Sequence, residues 1–215
     1  PSSMAFRATA EPMPVPAALV ERRELEKFHR PMEWAAGPAA VAAAFPALSS
    51  KDAGVRSAAR IALEHQNPKL WRERAVSAME PQPSILALVA LCRVGSADID
   101  GTPVAERLVA LEPAVRGTPL EREWLRACEL WMLRFASRST TVGGGEALRA
   151  AVLTNFPAKQ ADSDTSSAWE LDKHRANLLA KFGAPEAVTV AVALLERPDT
   201  GAPQAVDAAL LARGG

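Results

Sequence analysis

The chain has 215 residues, 48% of them hydrophobic, enough for a buried core or a row of linked small cores. Lys+Arg and Asp+Glu stand at 25 each, and a net charge of zero argues against a dedicated nucleic-acid binder, which shows a basic excess or stripe. Two cysteines, Cys92 and Cys128, are too few for a disulfide framework, and both fall inside apolar helical pattern as expected buried thiols.

In chain order, Met4 to Pro16 carries Pro12, Pro14 and Pro16 in alternation, which predicts an extended strap over residues 1–16. The chain opens on Pro1 with no basic-plus-apolar leader, as a trimmed or excised piece would. Ala17 to His29 reads as a charged amphipathic helix with Leu19, Leu25 and Phe28 inward, its Glu21, Glu24 and Glu26 beside Arg22, Arg23 and Lys27 as solvated pairs. The longest uncharged stretch, Trp34 to Ser50, is broken by Gly37, Pro38 and Pro46, so it lacks the continuous apolar length of a membrane span. From Asp52 to Gln66, Val55, Ala58, Ala59, Ala62 and Leu63 make one apolar stripe at helical spacing, with Arg56, Arg60 and Glu64 on the other side. A stripe of alanine lets helix axes come close, which suits a helix lying between neighbours.

First helices of successive pairs are expected to start near Pro38, Pro68, Pro103, Gly145 and Pro185, and their partners near Asp52, Pro83, Pro119, Thr165 and Pro203. Asn67, Thr102 and Thr118 each place a capping side chain before a proline at the first helical position, and Thr118 with Glu121 forms a capping-box pattern. First helices recur at roughly 30 to 41 residues, within the range of helical-repeat families once loops vary. Nothing alternates with a strand's period over a useful length. The expected fold is all-α: a HEAT-like α-solenoid of about five antiparallel helix pairs over residues 17–215, preceded by the proline-rich strap.

The loops are bland. Ser137 to Gly145 is polar and then glycine-rich, but lacks the lysine and hydroxyl that follow a phosphate-binding glycine loop. Asp162 and Asp164, in Gln160 to Ser167, lack the glycine turn and closing glutamate of a calcium loop and suit a helix N-cap at Asp164 or Thr165. His29, His65 and His174 lie far apart, outside any two-histidine metal motif or haem attachment motif. No nucleophile elbow is present. Trp124 and Trp131, seven residues apart, share a helix face and suit packing between helix pairs better than a ligand shelf; Trp71 and Trp169 are expected inward, and Trp34 as a plug on the first pair.

One row stands out as a candidate interaction surface. Arg56, Arg60, Arg93, Arg126 and Arg134 all lie on helices assigned as the second of a pair, where they would either receive an acidic partner or form an intramolecular ladder with residues such as Asp52.

Several segments resemble a known family in the expected order: Leu25 to His29, Ala58 to Gln66 (AARIALEHQ), Trp71 to Ala75, Ile85 to Gly95 (ILALVALCRVG), Phe156 and Pro157, Asn177 to Leu179, Phe182 to Val188 and Leu194 to Glu196. They are similar to the HEAT-repeat region of large, exported, multidomain proteins of the planctomycete type. In that family the region is a spacer between a sorbosone-dehydrogenase-like β-propeller and a c-type haem domain, and the match covers most of residues 20 to 213. The resemblance implies a non-catalytic scaffold or protein-interaction module in the periplasm or cell envelope. No cofactor is assigned to this chain, and its partners would be a protein or the neighbouring domains of the same parent chain. A HEAT-like DNA glycosylase with a basic concave groove is the alternative, for which zero net charge gives no support.

Overall fold

The structure, a computed structural model, describes residues 16–33, 35–137, 142–154, 156 and 165–195. Among them the chain is all-helical, with no strand. The ten α-helices are α1 (Ala17–Glu26), α2 (Gly37–Ala47), α3 (Ala53–Glu64), α4 (Arg72–Ser77), α5 (Pro81–Val94), α6 (Ala97–Val115), α7 (Glu121–Trp131), α8 (Gly145–Leu153), α9 (Thr165–Lys181) and α10 (Glu186–Leu195). A 3₁₀ turn (Pro68–Leu70) precedes α4, and a π-helical segment (Met132–Ala136) continues α7. Residues 1–15 of the expected strap, Trp34, residues 138–141 of the glycine loop, residues 155 and 157–164 and the helix expected at Pro203 lie outside the described residues.

The helices follow from their capping and spacing. Asp52 caps α3 by accepting from the Val55 N–H at 2.9 Å, and all five residues of the expected stripe, Val55, Ala58, Ala59, Ala62 and Leu63, are buried. Asn67 caps the 3₁₀ turn by accepting from the Lys69 N–H at 3.0 Å. The helix expected from Pro68 breaks at Trp71, whose φ of −144° lies outside the helical range; its side chain is buried there instead, and α4 starts afresh at Arg72.

Pro103 does not start a helix. It sits seven residues into α6, which begins after Ser96, where Asp100 Oδ2 accepts from the Ser96 N–H at 2.8 Å. The carbonyl that loses its partner to Pro103 belongs to Ile99, on an exposed part of the helix, where water can serve it. Thr102 caps nothing; its hydroxyl accepts from the Gly143 N–H at 2.8 Å and ties the start of α8 to α6. The turn between α5 and α6 is tight enough to demand Gly95, since a Cβ there would stand 2.6 Å from the Leu91 carbonyl oxygen and 2.7 Å from Asp100 Oδ2. At the start of α7, Thr118 Oγ1 accepts from Leu120 N–H at 3.2 Å, but Glu121 reaches back to the Gly117 N–H at 3.0 Å, one residue earlier than a capping box requires.

Packing is serial. The even-numbered helices and α4's 3₁₀ turn lie beside one another in order, α2 against the turn, α4 against α6, and α6 against α8. The odd-numbered helices do the same, α3 against α5, α5 against α7 and α7 against α9, while α1 lies on α3 and α10 on α9. One contiguous apolar cluster runs from Leu25 to Val190 through both sets. Its centre is aromatic: Trp124 donates to the Leu108 carbonyl at 2.8 Å and Trp131 to the Gly101 carbonyl at 2.6 Å, so both bind α7 to α6 and neither forms a shelf. The π-helical segment closes with Ser137 N–H on the Met132 carbonyl at 3.1 Å, and its extra residue lets Met132 and Phe135 bury together with Trp131. At the entrance to α8, Gly144 adopts φ 88° and lies so close to α6 that a Cβ would come within 2.7 Å of the Ala105 methyl.

Candidate functional site

The five arginines of the expected surface row do lie along α3, α5, α7 and the π-helical segment, but each is already engaged within the chain. Arg56 donates to the Ser50 and Lys51 carbonyls at 2.9 and 3.0 Å, not to Asp52, whose carboxylate is occupied as the α3 cap. Arg60 pairs with Glu64 one turn on, and Glu64 also receives Arg93 at 3.0 Å, linking α3 to α5. Arg134 donates to the Cys92 and Arg93 carbonyls at 3.4 and 2.8 Å, so it closes the C-terminal end of α5 from the next odd-numbered element. Arg126 pairs with Glu129 at 2.6 Å.

Glu129 is the hub of the α7–α9 seam. Its carboxylate takes Arg126 from α7 and Lys181 from α9, and His174 stands 3.6 Å away. Burial pushes its pKa up, but the hydrogen bonds from Lys181 and Arg126 outweigh that and hold it below the ordinary carboxylate value. His174 is pushed the other way. Burial lowers it, Glu129 raises it, and Arg126 and Lys181 lower it further, so the imidazole is neutral near pH 7.

Deeper in the same seam lies a fully buried ion triad. Arg175 of α9 is 0% exposed and donates to Asp172 at 2.7 Å and to Glu121 at the first turn of α7. Glu121 in turn accepts from Gly117 N–H, so one carboxylate ties the α6–α7 turn to α9. Sequence reading gave no sign of this triad, because Arg175, three residues after Asp172, looks like any exposed helical pair until the partner helix is known.

An open cleft of about 250 Å³ lies at the α7–α9 seam, lined by Arg122, Glu170, Leu171, Lys173, His174 and Asn177. Arg122 continues the face that holds Arg126 and Glu129, and residues 170, 173, 174 and 177 share one face of α9. Lys173 lies over the Trp169 ring at 4.8 Å. The spacing of residues 170, 173, 174 and 177 is the sequence signal for this cleft, and by itself it marks only one helix face.

The remaining reactive side chains are quiet. Cys92 of α5 and Cys128 of α7 are free and fully buried on packed helices. Burial drives both thiols well above their ordinary pKa, and Cys128 is raised further by the proximity of Cys92, so neither supplies a thiolate. His29 stacks on His65 with ring centroids 6.3 Å apart, and its Nε2 meets the Ala58 carbonyl at 2.8 Å. Among the described residues no group of three or more His, Cys, Asp or Glu is placed to hold a metal ion, and no helix is long and apolar enough to cross a membrane. In comparisons with known proteins, no family model, curated protein or solved structure matches the chain.

Proposed function

We propose that the chain is a non-catalytic helical-repeat scaffold, a HEAT-like α-solenoid of about five antiparallel pairs that spaces or docks domains of a larger exported redox protein. The observation that carries it is the serial packing of α3, α5, α7 and α9, with a charged link at each joint: Glu64 to Arg93, Arg134 to the end of α5, and Glu129 to Lys181. Each helix pair buries its apolar face against the next one, which is how repeat arrays gain stability and a long presenting surface. Any redox chemistry would belong to the propeller and haem domains that the sequence resemblance brings with it, and the periplasm or cell envelope would be the setting. The glycosylase reading needs an unspent basic groove, and the arginines that would build it are committed to carboxylates and carbonyls of the chain itself.

The complete reading frame of the gene tests the context. A propeller or c-type haem domain encoded on either side, and co-migration of that separately expressed domain with this one in gel filtration, is the expected result. A frame coding for this domain alone overturns the family context and with it the docking role.

A further inference from the structure

The cleft between α7 and α9 holds the charges that the rest of the odd-numbered row has spent. Among the described residues Arg122 makes no ion pair or hydrogen bond, Lys173 meets only the Trp169 ring, and the Glu170 carboxylate and Asn177 amide have no side-chain partner. The contrast with Arg56, Arg60, Arg93, Arg126 and Arg134 is chemical. Those five are engaged by carboxylates or carbonyls of the chain itself, Arg93 and Arg126 while still exposed, whereas Arg122 and Lys173 line one open recess.

Beside the recess lies the Glu129 cluster. Arg126 and Lys181 converge on Glu129, two cations sharing one carboxylate and leaving a positive surplus next to the cleft, and His174 is beside it. What faces solvent is two cations and an amide against one carboxylate. The cleft is open and of mixed polarity, with Leu171 as its one apolar side chain, so it offers no enclosed apolar pocket for a drug-sized ligand. It offers two separated charges and an amide along a helix seam.

We infer that this cleft is the docking site of an acidic peptide segment, one that presents carboxylates to Arg122 and Lys173 and a backbone or side-chain group to Asn177. Charge complementarity selects the occupant. Glu170 opposes a ligand of uniform negative charge such as a nucleic-acid backbone, and it gives a peptide carrying spaced carboxylates a register, since only positions away from Glu170 accept them. Trp169 holds Lys173 in place from beneath, which reduces the ordering cost of receiving the peptide. The inference deepens the scaffold reading and takes from it the premise that the partner is a protein.

The test is fluorescence anisotropy with a labelled hexapeptide of alternating glutamate and serine on the intact chain at low ionic strength. Saturable binding is expected, weakened at least about tenfold in R122A/K173A and unchanged in R23A/K51A, which removes the same charge from exposed sites elsewhere. Thermal unfolding of both double variants, followed by circular dichroism, is expected to match the parent, because neither pair of side chains is buried. Absence of saturable binding, or equal weakening in both variants, overturns the cleft as a site while leaving the scaffold reading standing. Tighter binding of a short duplex DNA that is lost in R122A/K173A overturns both readings together.

Discussion

The seams α3–α5 and α7–α9 join successive odd-numbered helices in the same serial way, yet they are made of different material. The buried side chains of the first pair are mostly alanine and leucine, Ala58, Ala59, Ala62 and Leu63 on α3 and Ala87, Leu88, Ala90 and Leu91 on α5, with Glu64 to Arg93 as a charged link between the helices. The second adds buried charge to its apolar side chains, with Arg175, Asp172 and Glu121 buried and Glu129 gathering cations nearby. An apolar seam is non-directional and tolerates sliding at low cost, while a buried triad has one geometry that satisfies it. The α7–α9 seam is therefore where the register between these two helices is fixed, and it is also where the open cleft lies.

Removing one member of the triad should do the most damage. Arg175→Ala leaves Glu121 and Asp172 without their shared guanidinium and is expected to cost about 4 kcal/mol in urea unfolding. A loss under about 1 kcal/mol would show that the triad is solvated and that the seams do not differ in kind. Leu63→Ala in the apolar seam should cost about 3 kcal/mol, the transfer term plus a cavity between close-packed helices. Asp52→Ala removes the cap of α3 and should cost about 1 kcal/mol, with hydrogen exchange rising first at Val55, whose N–H it accepts. Arg93→Ala, which cuts the half-exposed rim link, should cost under about 1 kcal/mol and less still at high salt.

Acidification sharpens the comparison most finely, because the pH-sensitive groups sit in the second seam. His174 is depressed below its ordinary 6.5, so the unfolded chain takes up the proton first; stability present above pH 6.5 is lost as pH falls through the folded value. Glu129 is depressed below its ordinary 4.5 and adds a second loss as pH falls from there through its own folded value. The urea midpoint should therefore step down in two stages, and His174→Asn should remove the upper one while leaving the lower. An unchanged upper step in that variant would place its origin outside the seam.

Much of the fold was legible in the sequence because it rests on local rules. The α3 stripe needs only helical spacing, the Asp52 and Asn67 caps a short polar side chain before a turn, and the starts at Gly145 and Pro185 a glycine or proline at the boundary. Pro103 misled for the same reason: Thr102 before proline is a good cap, and nothing local reveals that the helix is already two turns long. The competing signal was present in Ser96, Asp98 and Asp100, a hydroxyl and two carboxylates suited to a first turn. The π-helical segment had no local signature, since it is set by the need to bury Met132 and Phe135 together. The arginine row was found but its partners were not, and the α7–α9 cleft was missed, because both depend on which helix lies opposite.

Cys92 and Cys128 give the molecule a property of another kind. Two unreactive thiols on the facing helices α5 and α7, each silenced by burial, become reactive only when that joint opens. The rate at which a soluble alkylating reagent consumes them is thus a clock for spontaneous breathing between α5 and α7. Native chemistry has placed a pair of reporters at the joint between the apolar and the ionic halves, so the protein can be timed there without adding a label.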